Sequence, residues 1–68
     1  MSVAKVIEII AESPKSFEDA VKIGIDRTVQ TVKGVQGAWI KEQKIIIEDN
    51  RIKAYRVDMK VTFLLEED

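Results

Sequence analysis

Trp39 is the one tryptophan of the chain, with Lys41, Glu42 and Gln43 close behind it, and Tyr55, Arg56 and Asp58 form a second polar group further on. A flat indole stacks on another planar ring with about 0.5 to 1.5 kcal/mol beyond simple area burial, so a tryptophan beside polar side chains suits an aromatic ligand. Packing against another subunit is the competing reading. Idle exposure is the third, since isolated surface hydrophobes are common. Asp58 and Glu42 have the chemistry of general acids or bases, and Tyr55 that of a proton donor. Nothing in their spacing gathers them around a substrate, and salt-bridged sheet positions account for them, so no enzyme activity is expected.

Neither cysteine nor histidine occurs, which removes disulfides, thiolate nucleophiles, imidazole bases and thiolate or imidazole metal sites. Carboxylates remain. Glu42, Asp58 and the terminal Glu66, Glu67 and Asp68 would offer oxygen ligands to calcium or magnesium if symmetry multiplied them around an axis. A solvated terminus is the simpler reading of the last three. Eleven basic against twelve acidic side chains leave a net charge of −1, which gives no electrostatic claim on nucleic acid or an anionic membrane. The interleaved aromatics of an RNA-binding sheet are missing as well. Apolar runs reach only three residues, as in Ile45 to Ile47, so neither a signal peptide nor a membrane span is expected and the cytoplasm is the default location.

Four elements have to position these residues. With 68 residues, 46% of them apolar and 34% charged, the chain reads as one globular domain over residues 1–68. A first strand runs from about Val3 to Glu12, and Ser13-Pro14 breaks it because proline lacks an N–H and biases its predecessor away from helix. Ser16 with Asp19 forms a variant capping box for a helix, with Glu18 also in its first turn. Phe17, Val21, Ile25, Val29 and Val32 make an apolar stripe at helical spacing, which Lys33 and Gly34 end. Gly24, mid-helix, costs about 1 kcal/mol against alanine and implies a close approach to the sheet.

After Gly37, Ala38–Glu48 and Arg51–Glu66 read as strands joined at Asp49-Asn50, residues that tolerate the left-handed conformations of a tight hairpin turn. Tyr55, Val57, Met59, Val61, Phe63 and Leu65 alternate with polar neighbours, the pattern of a half-buried strand. A turn at Asp49-Asn50 sets Ala38 opposite Val61, Ile40 opposite Met59 and Glu42 opposite Val57 on the helix side. Trp39 then lies on the other face across from Lys60, with Lys41 across from Asp58, Gln43 across from Arg56, and Ile45 and Ile47 sharing its side. The architecture is α+β, in the order β-α-β-β, with a three-stranded antiparallel curved sheet wrapped around one helix.

Size adds a further expectation. Domains below roughly 70 to 80 residues seldom gain more than about 3 to 5 kcal/mol from their own core and lean on disulfides, metals or oligomerisation. Self-association is the remedy this composition leaves. Chain dimensions agree, because a 68-residue globule has a radius of gyration of about 11 Å while the last strand, at about 3.3 Å per residue, would reach roughly 53 Å if straight. It must curl or project.

The stretches VIEIIAESPKSFEDAV, GAWIKEQ and AYRVDMKVTFLLEE resemble the dodecin family and together span nearly the whole chain. The resemblance implies a hollow homododecamer, noncatalytic, in which flavin-binding members hold pairs of isoalloxazine rings between symmetry-related tryptophans and store or sequester flavin as FMN, riboflavin or FAD. It also implies that Trp39 is the stacking residue, with Arg56, Gln43 and Lys41 as further cofactor contacts. Arg56 stands where many flavin-binding members carry a glutamine, and its guanidinium offers donors but no acceptor, to grip carbonyl oxygens, a phosphate or a neighbouring carboxylate. Lys41 replaces the usual acidic residue two places after the tryptophan. A flavin-free assembly that binds a divalent cation, calcium or magnesium, is the alternative.

Overall fold

Residues 2–65 are described by the computed structural model, in the order β1 (Ala4–Ser13), α1 (Phe17–Thr28), β2 (Val35–Glu48) and β3 (Arg51–Leu64). Glu66, Glu67 and Asp68 lie outside the described residues. The three strands form one antiparallel sheet in the order β1-β3-β2. β3, with the cleanest alternation of apolar and polar residues, is the central strand. The expected strand limits hold to within a few residues, and the hairpin turns where Asp49-Asn50 predicted it. Both residues are left-handed, with φ of 53° and 63°, as a two-residue turn that follows the strand twist requires.

α1 begins at Ser16, whose hydroxyl accepts the Asp19 N–H at 2.9 Å. Asp19 is held from the other side by the buried Ser13 hydroxyl, which donates to its carboxylate at 2.5 Å and accepts the Lys15 N–H at 3.0 Å. The SPKS break is thus a hydrogen-bonded corner. The helix ends a turn sooner than the stripe through Val32 predicts. Val29 is its cap, and Gln30, Thr31 and Val32 bond back to Arg27 and Thr28 in tight turns. The buried Thr28 hydroxyl donates to the Gly24 carbonyl at 2.8 Å. β-branched residues, weak helix formers, then crowd the following turn.

The helix packs on β1 and β3. Ala20, Val57 and Met59 form its buried centre, with Ile9, Ala11, Phe17, Val21 and Ile25 around them. A Cβ on Gly24 would stand 2.8 Å from the Met59 methyl and 3.0 Å from the Ala11 Cβ, which is the close approach anticipated for this glycine. Phe17 and Tyr55 meet edge to face, ring centroids 5.1 Å apart. Beyond Ser13, which pairs with Tyr55, β1 is gone and the hairpin continues as a two-stranded arm. The molecule is accordingly long, 53 × 19 × 13 Å, with a radius of gyration of 14.1 Å. The last strand projects.

Candidate functional site

Arg56, Asp58 and Lys60 alternate with the buried Val57, Met59 and Val61 and so point away from α1. The flanking strands complete three rows across this outer face. Glu8, Lys60 and Trp39 make the first, Ile10, Asp58 and Glu42 the second, and Glu12, Arg56 and Lys44 the third. Trp39 on β2 is 50% exposed and Ile10 on β1 64%, so an exposed apolar side chain stands on each side of the charged central strand. A cavity of about 320 Å³ opens on the second and third rows, lined by Ile10, Glu42, Gln43, Lys44, Arg56 and Asp58.

The register around Trp39 is the expected one, with Ala38 opposite Val61, Trp39 opposite Lys60 and Ile40 opposite Met59. It then shifts by one residue between Ile40 and Glu42. Lys41 is the extra residue of this bulge, so it does not face Asp58. Its Nζ lies 3.5 Å from a Glu8 carboxylate oxygen on β1. The slip turns the pairing beyond it to the other parity. Glu42 faces Asp58 instead of Val57, Gln43 faces Val57 instead of Arg56, and Lys44 faces Arg56. Ile45 pairs with Tyr55, on the helix side, so it does not share the face of Trp39. A second shift, between Ile46 and Ile47, restores the expected offset at Ile47 opposite Ile52.

Arg56 is anchored within the chain. Its Nε donates to Glu12 Oε1 at 2.7 Å and its Nη2 lies 2.5 Å from the same oxygen, which leaves the remaining guanidinium donors free. Asp58 is the opposite case, since its Oδ1 is buried without a hydrogen-bond partner. Hydrogen bonding with the neighbouring Glu8 carboxyl, then desolvation, then the Glu8 charge hold the Asp58 carboxyl above its ordinary value of 3.8. The same contact, helped by the charge of Lys41, lowers Glu8 from its ordinary 4.5. Two carboxyl groups side by side favour one shared proton.

Of the four residues singled out by sequence, Trp39 and Arg56 lie on the outer face two rows apart, Lys41 reaches the same region from the bulge, and Gln43 sits on the other parity while still lining the cavity. Glu8, Ile10, Glu12 and Lys44 escaped the sequence reading. The alternation E-x-I-x-E in the first strand puts Glu8, Ile10 and Glu12 on one face, and only the β1-β3 pairing identifies which face that is, while Lys44 reaches it through the shift at Lys41.

A family profile described as Dodecin matches residues 3–66. A calcium dodecin of Mycobacterium tuberculosis is 35% identical over 63 residues, 93% of this chain and 89% of that protein. The solved dodecin of Streptomyces davaonensis superposes with a TM-score of 0.92 at 30% identity, covering 97% of each chain. The solved calcium dodecin of M. tuberculosis superposes with a TM-score of 0.85 at 31% identity, covering 98% of this chain and 96% of that one.

Proposed function

The chain belongs to the dodecin family, and from that premise we propose that it is a noncatalytic flavin-binding protein whose copies form a homododecameric shell. Each copy is one dodecin-like domain over residues 1–68. Flavin rings stack between Trp39 side chains of neighbouring subunits, and the protein stores or sequesters them in the cytoplasm. No helix among the described residues is long and apolar enough to cross a membrane.

The observation that carries this reading is the half-exposed Trp39 ring on the same face as a polar-edged cavity of about 320 Å³. The residues fit the group. An isoalloxazine presents a flat apolar body and one edge that mixes carbonyl acceptors with an imide N–H donor. A glutamine would meet that edge with one amide, whereas here the two roles are divided. Arg56 supplies donors, and the carboxylate of Asp58, two residues along on the same face and also lining the cavity, supplies the acceptor. Lys41 and Gln43 are the remaining contacts proposed. A stacked indole quenches the excited state of the bound ring, which makes binding visible.

Riboflavin and FMN titrated with the protein should lose fluorescence to a plateau near one ring per subunit, and Trp39→Ala should abolish most of the quenching while the chain remains folded by circular dichroism. Unchanged fluorescence with the wild-type protein refutes the flavin reading. The relative named calcium dodecin favours a second reading, a flavin-free assembly that takes calcium or magnesium. Among the described residues no group of three carboxylates is gathered to hold a metal, so a cation would need ligands from more than one subunit. Calorimetry with calcium and magnesium decides it, and absence of heat removes it.

A further inference from the structure

Arg56 is aimed by a residue that does not itself line the site. Its Nε and Nη2 both meet the same Glu12 oxygen, at 2.7 and 2.5 Å. These nitrogens form one side of the guanidinium, so the carboxylate occupies that side entirely. The end of the fork keeps parallel N–H groups on Nη1 and Nη2, and no group among the described residues accepts from them. Arg56 lines the cavity of about 320 Å³ beside Asp58, whereas Glu12 stays outside it.

The strand pairing supplies the forces that hold this direction. Glu12 lies directly across from Arg56 on β1, an opposite-charge pair, and Lys44 lies directly across from it on β2, a like-charge pair. The guanidinium is therefore drawn toward β1 and driven from β2. The ion pair is half exposed, 41% at Arg56 and 44% at Glu12, and a pair so exposed adds little to stability. What it removes is rotational freedom, for an unpaired arginine side chain ranges over many rotamers. A donor fork held in one direction before a ligand arrives spares the complex that ordering cost.

We propose that Glu12 is the positioning residue of this site: it holds the end of the Arg56 fork toward the cavity, so that the site reads a ring edge carrying two adjacent acceptors next to a donor. The isoalloxazine edge runs N1, C2=O, N3–H, C4=O, N5, with two acceptors on either side of one donor. The fork takes one acceptor pair, and the Asp58 carboxylate, two residues along β3 and lining the same cavity, takes the N3–H. A glutamine in place of Arg56 would carry one donor group and one acceptor, and would read a carbonyl together with the imide N–H. The Glu12-Arg56 unit thus changes which atoms of the ring are recognised. This role rests on the flavin reading and adds to it the residue that aims Arg56 and the ring atoms Arg56 meets.

Riboflavin titrations of Glu12→Gln test it, with Trp39 quenching as the readout. The substitution keeps the shape and removes the charge, and it should weaken riboflavin binding about tenfold, while quenching at saturation and the circular dichroism spectrum stay as in the wild type. In an Arg56→Gln background the same substitution should change the affinity by less than about twofold, because no guanidinium is left to aim. Riboflavin analogues with C–H in place of N1 or of N5 each lose one ring acceptor. At least one of them should bind the wild type about tenfold more weakly than riboflavin, a gap that Arg56→Gln closes. The readout without ligand is the Arg56 Nε–H, assigned in NMR spectra by its loss in Arg56→Gln. It should exchange with water several-fold more slowly in the wild type than in Glu12→Gln. A contact that merely ties β1 to β3 predicts a lower melting temperature with unchanged affinity, or the same loss of affinity in both backgrounds. Either result, or equal exchange rates, or two analogues that bind as riboflavin does, overturns the proposal while the flavin reading stands. A wild type that leaves riboflavin fluorescence unchanged overturns both.

Discussion

At the scale of the residue, Asp58 is the group whose surroundings are least satisfied. It carries a charge next to Glu8 and opposite Glu42, and one of its oxygens is buried without a partner. A carboxyl whose folded value is raised binds its proton more tightly in the folded chain than in the unfolded one, so acidification stabilises the fold as the pH falls through that raised value toward 3.8. Glu8 has the opposite sign, since its folded value is lowered, and the stability it contributes is lost as the pH falls below 4.5. The two effects oppose one another on the acid side, Asp58 gaining stability and Glu8 losing it as the pH falls. Thermal melts of the wild type and of Asp58→Asn, compared from neutral pH to below 3.8, therefore isolate the stabilising contribution that Asp58 makes on acidification. Asp58→Asn should raise stability at neutral pH and remove that contribution, while leaving the acid-side fall smaller, because Glu8 loses its hydrogen-bonding carboxyl neighbour. A variant that melts like the wild type across this range refutes the shared-proton account.

At the scale of the element, the sequence was most informative wherever the signal is local. The Ser16 cap, the SPKS break, the Asp49-Asn50 turn and the alternation of β3 all rest on residues a few positions apart, and each stands where its chemistry predicts. The helix stops before its apolar spacing does, because Val29 and Val32 continue the spacing while the backbone has already turned. The bulge at Lys41 left no local mark. Its flanks read K-E-Q with no glycine or proline to announce an irregularity, and a one-residue slip moves every later side chain to the other face. So the alternation gives the face of Trp39 and fails for Gln43, which lies beyond the slip. Gly24 illustrates the converse, a long-range contact that was legible because glycine in a helix has a known penalty. Gly24→Ala should lower stability by about 1 to 3 kcal/mol, since the added methyl meets Met59 and the Ala11 Cβ in a packed centre. Denaturant unfolding measures this at a concentration that keeps the assembly intact. A gain from the better helix residue would mean that β1 and Met59 yield, and that the close approach carries no strain.

At the scale of the whole molecule, the amount of buried apolar surface decides the outcome. Ala20, Ala54, Val57, Met59 and Val61 are the buried apolar side chains among the described residues, whereas Val3, Val6, Ile10, Ile23, Trp39, Ile40, Ile45, Ile47 and Ile52 are among the large ones left exposed. Two of the former are alanines, and the projecting arm beyond Ser13 is a two-stranded ribbon of a kind that is marginal in water on its own. A chain of these proportions has more apolar surface to gain from its copies than from itself. Folding and association should then be one process, so the melting temperature should depend on concentration. Each tenfold dilution removes about 1.4 kcal/mol per chain from a large assembly and about half that from a dimer. For a domain of this length that corresponds to a fall of roughly 5 °C or more for the large assembly and somewhat less for the dimer. Melts over three decades of concentration therefore report the order of the assembly as well as its existence. A melting temperature that stays constant under dilution would mean that the single chain holds its fold alone, and the shell and the paired tryptophans would lose their common premise.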